Sequence, residues 1–341
     1  MGAFPPVHTT NGRSYPQKHK ILRFFEYSCL AHPKICDMKD AVFELAILGS
    51  GSSGNSALIT TENCRILVDI GFSARQICHR LDALSVAPET LDAILLTHEH
   101  SDHVAGLDVF TRKFKVPIYC NRLTAEALKG QGIGTDAGWT IFGTGSSFTI
   151  RDLDVQTFYV PHDAVDPVGF IASSGYGSVG FLTDLGFATK LVRERLREVH
   201  TLLIETNHDE RKLQDDPKRP WSVKQRILSR HGHLSNRAAA TLVAEIAGDH
   251  LERVILGHLS RDCNTQDLAL AEMDRFGLSA LELFCAQQQE VSPRFSIRRR
   301  PPEPTVSNDL TKIGEQIDPI AYHHANRYHT QYTLDLQWEA L

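Results

Sequence analysis

The stretch Thr97-His98-Glu99-His100-Ser101-Asp102-His103 places four metal-ligand side chains within six residues. It directly follows Leu91–Leu96, an apolar run that reads as a buried strand. An extended chain alternates its side chains, so His98 and His100 share one face. Asp102 and His103 fall where the chain turns toward the next helix, and they face a neighbouring position. One loop can in this way serve two ions. A solvated loop gains nothing from three histidines and an aspartate packed so tightly, because the imidazoles repel once protonated. Imidazole and carboxylate donors suit zinc, manganese or iron, and the lack of thiolates removes the bias toward a purely structural zinc.

One loop cannot complete two coordination spheres. Further ligands are expected at the ends of later strands: His162 after Leu153–Val160, Asp184 after Phe181-Leu182, and His258 after Ile255-Leu256-Gly257. Any one of these is an ordinary cap or turn residue. After an HxHxDH loop, the three together make a ligand set. Asp69 closes Leu67-Val68 in the same way, and is expected to orient a ligand histidine as a hydrogen-bond acceptor.

The remaining 341-residue chain is that of an ordinary globular protein, with 42% apolar and 23% charged residues. No apolar run approaches the roughly 18–20 residues that span a bilayer, and no clean signal peptide opens the chain, so the expected location is the cytoplasm. Seven cysteines, an odd number without CxxC spacing, argue against a disulfide framework and a Cys-type zinc finger. Most are expected to be buried thiols. The net charge of −5 makes no case for general nucleic-acid binding, though a local basic patch acts within a Debye length of about 10 Å.

Regular structure is expected from Val42, leaving residues 1–41 as an N-terminal extension, disordered or preceding the true start, for which Met38 is a candidate. Strands are expected at 42–48, 65–69, 91–97, 147–150, 153–160, 168–173, 178–184, 200–205, 253–257 and 280–285. Helices are expected at 73–84, 104–115, 122–130, 187–197, 221–230, 235–248 and 264–276. This mixture predicts two packed sheets with helices outside, an α/β (α+β) class. The domain is read as 42–292. The stretch 293–341, in which Arg294, Arg298, Arg299 and Arg300 precede Pro301, Pro302 and Pro304, reads as a loosely ordered tail, and its His323, His324 and His329 read as solvated.

HxHxDH with downstream His, Asp and His resembles the metallo-β-lactamase superfamily. Closer similarity lies with its bacterial YycJ-like (WalJ-like) branch. The segments Leu48–Asn55, Thr97–His103, Glu205–Asp209, Pro220–Ser222, Gly232–Asn236 and His258–Asp262 carry it, over roughly Val42 to Val291. The resemblance implies a four-layer αβ/βα sandwich of two mixed sheets flanked by helices. It implies one ion on His98, His100 and His162, a second on Asp102, His103 and His258, and Asp184 bridging them. Thr206 and Cys263 depart from the branch's pattern, where serine and asparagine are expected; neither is a ligand, but Cys263 brings a thiol within possible reach of the site.

Two divalent ions, Zn2+ or Mn2+, suit in-line displacement at phosphorus by a bridging hydroxide. Asp102 is the expected proton acceptor. His233 is the first candidate for general acid or phosphate contact, and His208 the second. The turn Gly49–Asn55 lacks the Gly-Lys-Ser/Thr ending of a P-loop, and either approaches a phosphate or packs against the metal loop, the latter being favoured. Between Arg211 and Arg230 lie seven basic residues and Trp221. Lys224, Arg226 and Trp221 are the expected substrate contacts, a combination that suits a nucleic-acid backbone. The YycJ-like resemblance implies phosphodiester hydrolysis of DNA or RNA, including exonuclease action on DNA, with DNA favoured over RNA. The alternatives are a small-molecule hydrolase for thioesters, lactones or cyclic phosphodiesters, and a regulatory module without catalysis, which the complete ligand set opposes.

Overall fold

Strict alternation of apolar side chains builds two faces on each of the central strands. The structure, a computed structural model, describes residues 42–298. In the first sheet lie β1 (Phe43–Gly49), β2 (Ser56–Thr61), β3 (Arg65–Val68), β4 (Ala93–Leu95), β5 (Ile118–Asn121) and β6 (Trp139–Phe142). The second holds β7 (Ser147–Ile150), β8 (Leu153–Tyr159), β9 (Val168–Ser174), β10 (Gly177–Leu182), β11 (Thr201–Glu205), β12 (Arg253–Gly257) and β13 (Glu282–Cys285). A short β14 (Phe295–Ser296) returns to the first sheet and pairs antiparallel with β1. The orders are β14-β1-β2-β3-β4-β5-β6 and β13-β12-β11-β10-β9-β8-β7.

Ile66, Val68, Ala93, Leu95, Leu203 and Ile255 point between the sheets and form one core. Their sequence neighbours Leu67 and Ile94 point to the outer helices of the first sheet, and Leu202, Ile204, Val254 and Leu256 to those of the second. Period-two alternation thus yields helix, sheet, sheet, helix, the expected four-layer sandwich.

Strand direction positions the site. β3 and β4 run parallel, as do β10, β11 and β12. β8 is antiparallel to β9, and β9 to β10, so β8 points the same way as β10. The carboxyl ends of these strands therefore emerge on one edge, where open α/β sheets bind ligands.

Several expectations are corrected. The strand expected at 91–97 shortens to β4, because Thr97 leaves the ladder to donate its N–H to the Asp69 carboxylate at 2.8 Å. Strands β2, β5 and β6 and the helix Glu210–Asp215 were not expected. Ordered packing also runs past residue 292. Phe295 and Ile297 alternate into the core between the sheets, and Ile297 donates to the Phe43 carbonyl at 2.7 Å. The expectations for residues 1–41, Met38, Cys29, Cys36, Arg299, Arg300, His323, His324 and His329 lie outside the described residues.

Cys64, Cys78, Cys120, Cys263 and Cys285 are all free thiols. Burial pushes Cys64, Cys120 and Cys285 up to about 12. Only about one thiol in ten thousand is then the reactive thiolate at pH 8. Alkylation of the folded protein with iodoacetamide at pH 8, followed by peptide mapping, should label the half-exposed Cys78 well before those three. Equal labelling of all four would contradict the packing described.

Candidate metal centre

Three of the strand-end residues adopt backbone that side chains disfavour. Asp69, Asp184 and His258 have φ of 61°, 55° and 54°. Such left-handed, non-glycine conformations cost on the order of 1–3 kcal/mol each and persist only where the surroundings hold them. Each one turns the chain sharply just past its strand, and so aims its side chain across the edge.

The loop after β4 is fixed from below. Asp69 accepts from Thr97 N–H and Oγ1, each at 2.8 Å, and from His103 Nδ1 at 2.7 Å. His103 Nε2 is thereby left pointing into the cluster, 2.9 Å from Asp184 Oδ2 and 3.5 Å from Asp102 Oδ2. The serine-glycine turn packs against the same loop, the favoured one of its two expected roles. Asn55 N–H donates to the Asp102 carbonyl at 2.8 Å, and Ser50 Oγ accepts from His258 N–H at 2.8 Å. At Gly71 a Cβ would lie 1.7 Å from the Asp102 carbonyl oxygen, so only glycine permits this approach.

Ligand-type atoms converge in overlapping sets: His98, His100 and His162; His98, His103 and Asp184; Asp102, His103 and His258. In each set the atoms lie within 4.8 Å of one another. The Asp184 carboxylate stands between them, with Oδ1 3.7 Å from His162 Nε2 and 3.5 Å from His258 Nε2. His162 Nε2 and His100 Nδ1 are 3.3 Å apart, and His258 Nε2 is 3.2 Å from Asp102 Oδ2. Zinc bonds of about 2.0–2.1 Å in a tetrahedron put neighbouring ligand atoms roughly 3.3 Å apart, so the donor set fits such an ion. His98 Nε2 is buried with no hydrogen-bond partner among the described residues, as expected of a nitrogen reserved for a metal.

The electrostatics tell the same story. Burial and the neighbouring His103 hold His98 well below the usual imidazole range. Burial opposes protonation of His103 and His258 too, yet Asp184, with other carboxylates around each, holds both well above that range. Burial also opposes charge on Asp184, but His258 and His103 keep it well below the usual carboxylate range. Without a cation, so many buried groups balance only by sharing protons. Divalent ions replace those protons.

Glu205, at the end of β11, is a residue whose role the sequence reading missed. It is wholly buried. Its Oε1 accepts from His233 Nδ1 at 2.6 Å and from His258 Nδ1 at 2.8 Å. Its Oε2 accepts from Leu185 N–H at 2.9 Å and Leu234 N–H at 3.2 Å. The available signal was its place at the end of an apolar strand, like Asp69.

Residues 64–259 match the family model of the beta-lactamase superfamily domain. The chain belongs to the metallo-β-lactamase superfamily. It is 38% identical over 235 residues to exodeoxyribonuclease WalJ of Streptococcus pneumoniae, covering 68% of this chain and 87% of that one. It is 34% identical over 226 residues to exodeoxyribonuclease YycJ of Bacillus anthracis, covering 66% and 85%. The crystal structure of the metallo-beta-lactamase fold protein YhfI from Bacillus subtilis shares the fold, with a TM-score of 0.59 at 18% identity, over 73% of this chain and 98% of that one. As a member of this superfamily with its His/Asp clusters in place, the protein is a metal-dependent hydrolase. Among the described residues no helix is long and apolar enough to cross a membrane.

The other expected residues of this superfamily member fall unevenly. His233 lies beside the cluster, 3.5 Å from Asp184 Oδ1. His208 is sealed in, with both ring nitrogens unpartnered among the described residues, and burial lowers it to about 4. An imidazole that is neutral at physiological pH is a far weaker acid than an imidazolium, which favours His233 over His208 in that role. Lys224 is buried, and its ammonium donates to the Gln214 carbonyl at 2.6 Å, so it braces two helices instead of meeting substrate. Arg226 reaches the rim, where Nε pairs with Asp163 at 2.7 Å. Trp221 is 61% exposed. Cys263 is buried with its thiol 3.3 Å from the Arg219 guanidinium, in a different cluster.

Burial favours a neutral Glu205, but His233 and His258 outweigh it and pull the carboxyl from 4.5 down to about 2. A carboxyl depressed on folding stabilises fully above its unfolded value and loses that contribution as pH falls through its folded value. In chelated, metal-free protein, Glu205→Gln should cost on the order of 3 kcal/mol at pH 7. Urea unfolding should show that cost shrinking between about pH 4.5 and pH 2. A cost independent of pH would show that Glu205 is not held ionised.

Proposed function

We propose that the chain is a DNA exonuclease that hydrolyses phosphodiester bonds at a dinuclear Zn2+ or Mn2+ centre. One ion is assigned to His98, His100 and His162, the other to Asp102, His103 and His258, with Asp184 shared. The observation that carries this reading is Asp184 itself, whose carboxylate lies within 3.7 Å of His162 on one side and 2.9 Å of His103 on the other. The names of its relatives, WalJ and YycJ, support DNA as the substrate.

Ions bound in these sets supply Lewis acidity toward a phosphate and a water acidic enough to attack it near neutral pH. Asp102 is the most accessible of the cluster's carboxylates, with 23% of its side chain exposed, against 3% for Asp184. His103 and His258 outweigh its burial and keep it ionised, and it is assigned as the acceptor of the attacking water's proton. Asp69 holds His103 in one tautomer from behind. His233 gives the proton to the leaving oxygen. Burial opposes its charge, but Glu205 and Asp184 outweigh it and raise it above the usual imidazole value, which favours the protonated form. Glu205 engages Nδ1, leaving Nε2 as the nitrogen that donates. Arg226, paired with Asp163 beside His162, and the exposed Trp221 are assigned to substrate.

Purified protein with zinc or manganese should shorten end-labelled DNA, and do so faster than it cleaves RNA or a thioester. Fast thioester turnover without DNA cleavage would make it a small-molecule hydrolase. His233→Ala should lower turnover of DNA about 100-fold, with metal content intact. It should cost far less on a p-nitrophenyl phosphodiester, whose leaving group needs no proton. Unchanged DNA turnover would reject the acid.

A further inference from the structure

Phe187 and Arg230 form a pair that the chemistry just described does not use. The Arg230 guanidinium carbon lies 4.3 Å from the Phe187 ring centroid. Phe187 is 38% exposed, and Arg230 is exposed as well. Phe187 follows Asp184 by three residues, and Arg230 precedes His233 by three. Three residues of chain reach at most about 11 Å, so both residues are anchored within that distance of Asp184 and His233.

Their place is rigidly tied to it. Gly186 packs so closely on the other segment that a Cβ would lie 2.5 Å from Arg230 carbonyl atoms and from Gly232 N. Gly186 N–H donates to the Pro161 carbonyl at 2.9 Å, and His162 Nδ1 donates to the Gly232 carbonyl at 3.0 Å. The backbone beside Arg230 thus holds His162, and the backbone beside Phe187 holds Pro161, the residue before it.

Contacts separate Arg230 from the basic residues between Lys218 and Arg226. Lys218 and Arg219 pair with Asp262 and Asp216, Arg226 pairs with Asp163, and Lys224 is buried. Arg230 has no carboxylate partner among the described residues, only the aromatic face. An exposed cation–π pair is worth roughly 0.5–1 kcal/mol, a weak reason to leave phenylalanine in water. A guanidinium plane and an aromatic ring both stack on bases, and the cation attracts the phosphate backbone.

We propose that Phe187 and Arg230 form the platform on which the base beside the scissile phosphate stacks. This rests on the nuclease reading and sharpens its substrate to an unpaired strand end, because a base in a duplex has both faces covered. The test compares single-stranded, end-labelled DNA with the same strand carrying abasic residues on either side of the cleaved bond. Removing the bases should lower wild-type kcat/KM about tenfold, mostly through KM. In Phe187→Leu that penalty should fall below about twofold, as it should in Arg230→Gln, a second variant in case the first folds poorly. Metal content and thermal unfolding check the fold. A full penalty in both variants, or none in the wild type, overturns the platform. No cleavage of any DNA by the wild type overturns the nuclease reading and the platform with it, an outcome distinct from DNA cleavage that ignores the base.

Discussion

A carboxylate buried among imidazoles at the meeting of two sheets governs this structure. Asp184 is 2% exposed, yet its oxygens lie within 3.7 Å of His103, His162 and His258. An ion buried in protein costs several kcal/mol unless paired. The cluster concentrates several such costs at one edge. Divalent cations would resolve them together, and the strained backbone of Asp69, Asp184 and His258 stands at the same edge.

The two sheets contribute matching supports. Asp69, after β3 of the first sheet, accepts from His103 Nδ1; Glu205, at the end of β11 in the second, accepts from His258 Nδ1. In each case a buried carboxylate fixes the ring so that Nε2 faces the cluster, the arrangement that orients metal-binding histidines and raises their basicity. Asp102 lies between those two Nε2 atoms, 3.5 Å from one and 3.2 Å from the other. The difference between the supports is that Glu205 also holds His233. One carboxylate thereby couples a residue assigned to the ion with the residue assigned to proton donation.

Much of this was legible in the sequence, because spacing within a loop and placement at strand ends are local. His98, His100, Asp102 and His103 announce themselves by proximity, and His162, Asp184 and His258 by following apolar runs. Two packed sheets with helices outside followed from strands mixed with helices, and the four-layer αβ/βα order from the family resemblance. What was not legible depends on contacts between distant segments. Glu205 reads as any strand-end acid until β11 and β12 pair and bring His258 beside it. Lys224, expected on a helix among basic residues, was assigned to substrate and His208 to catalysis, and tertiary packing buries both. The short strands β5 and β6 and the returning β14 carry too few residues for alternation to stand out. The Phe187–Arg230 pair joins segments 43 residues apart and has no local signal.

The central claim is that one carboxylate joins two metal sites, and metal stoichiometry tests it most directly. Protein loaded with zinc, dialysed and measured by plasma mass spectrometry should hold two ions per chain. Asp184→Asn, which keeps the shape but removes the charge, should retain one or none under the same dialysis. A wild-type chain that holds no zinc, or a variant that keeps both ions as tightly as the wild type, would contradict the account.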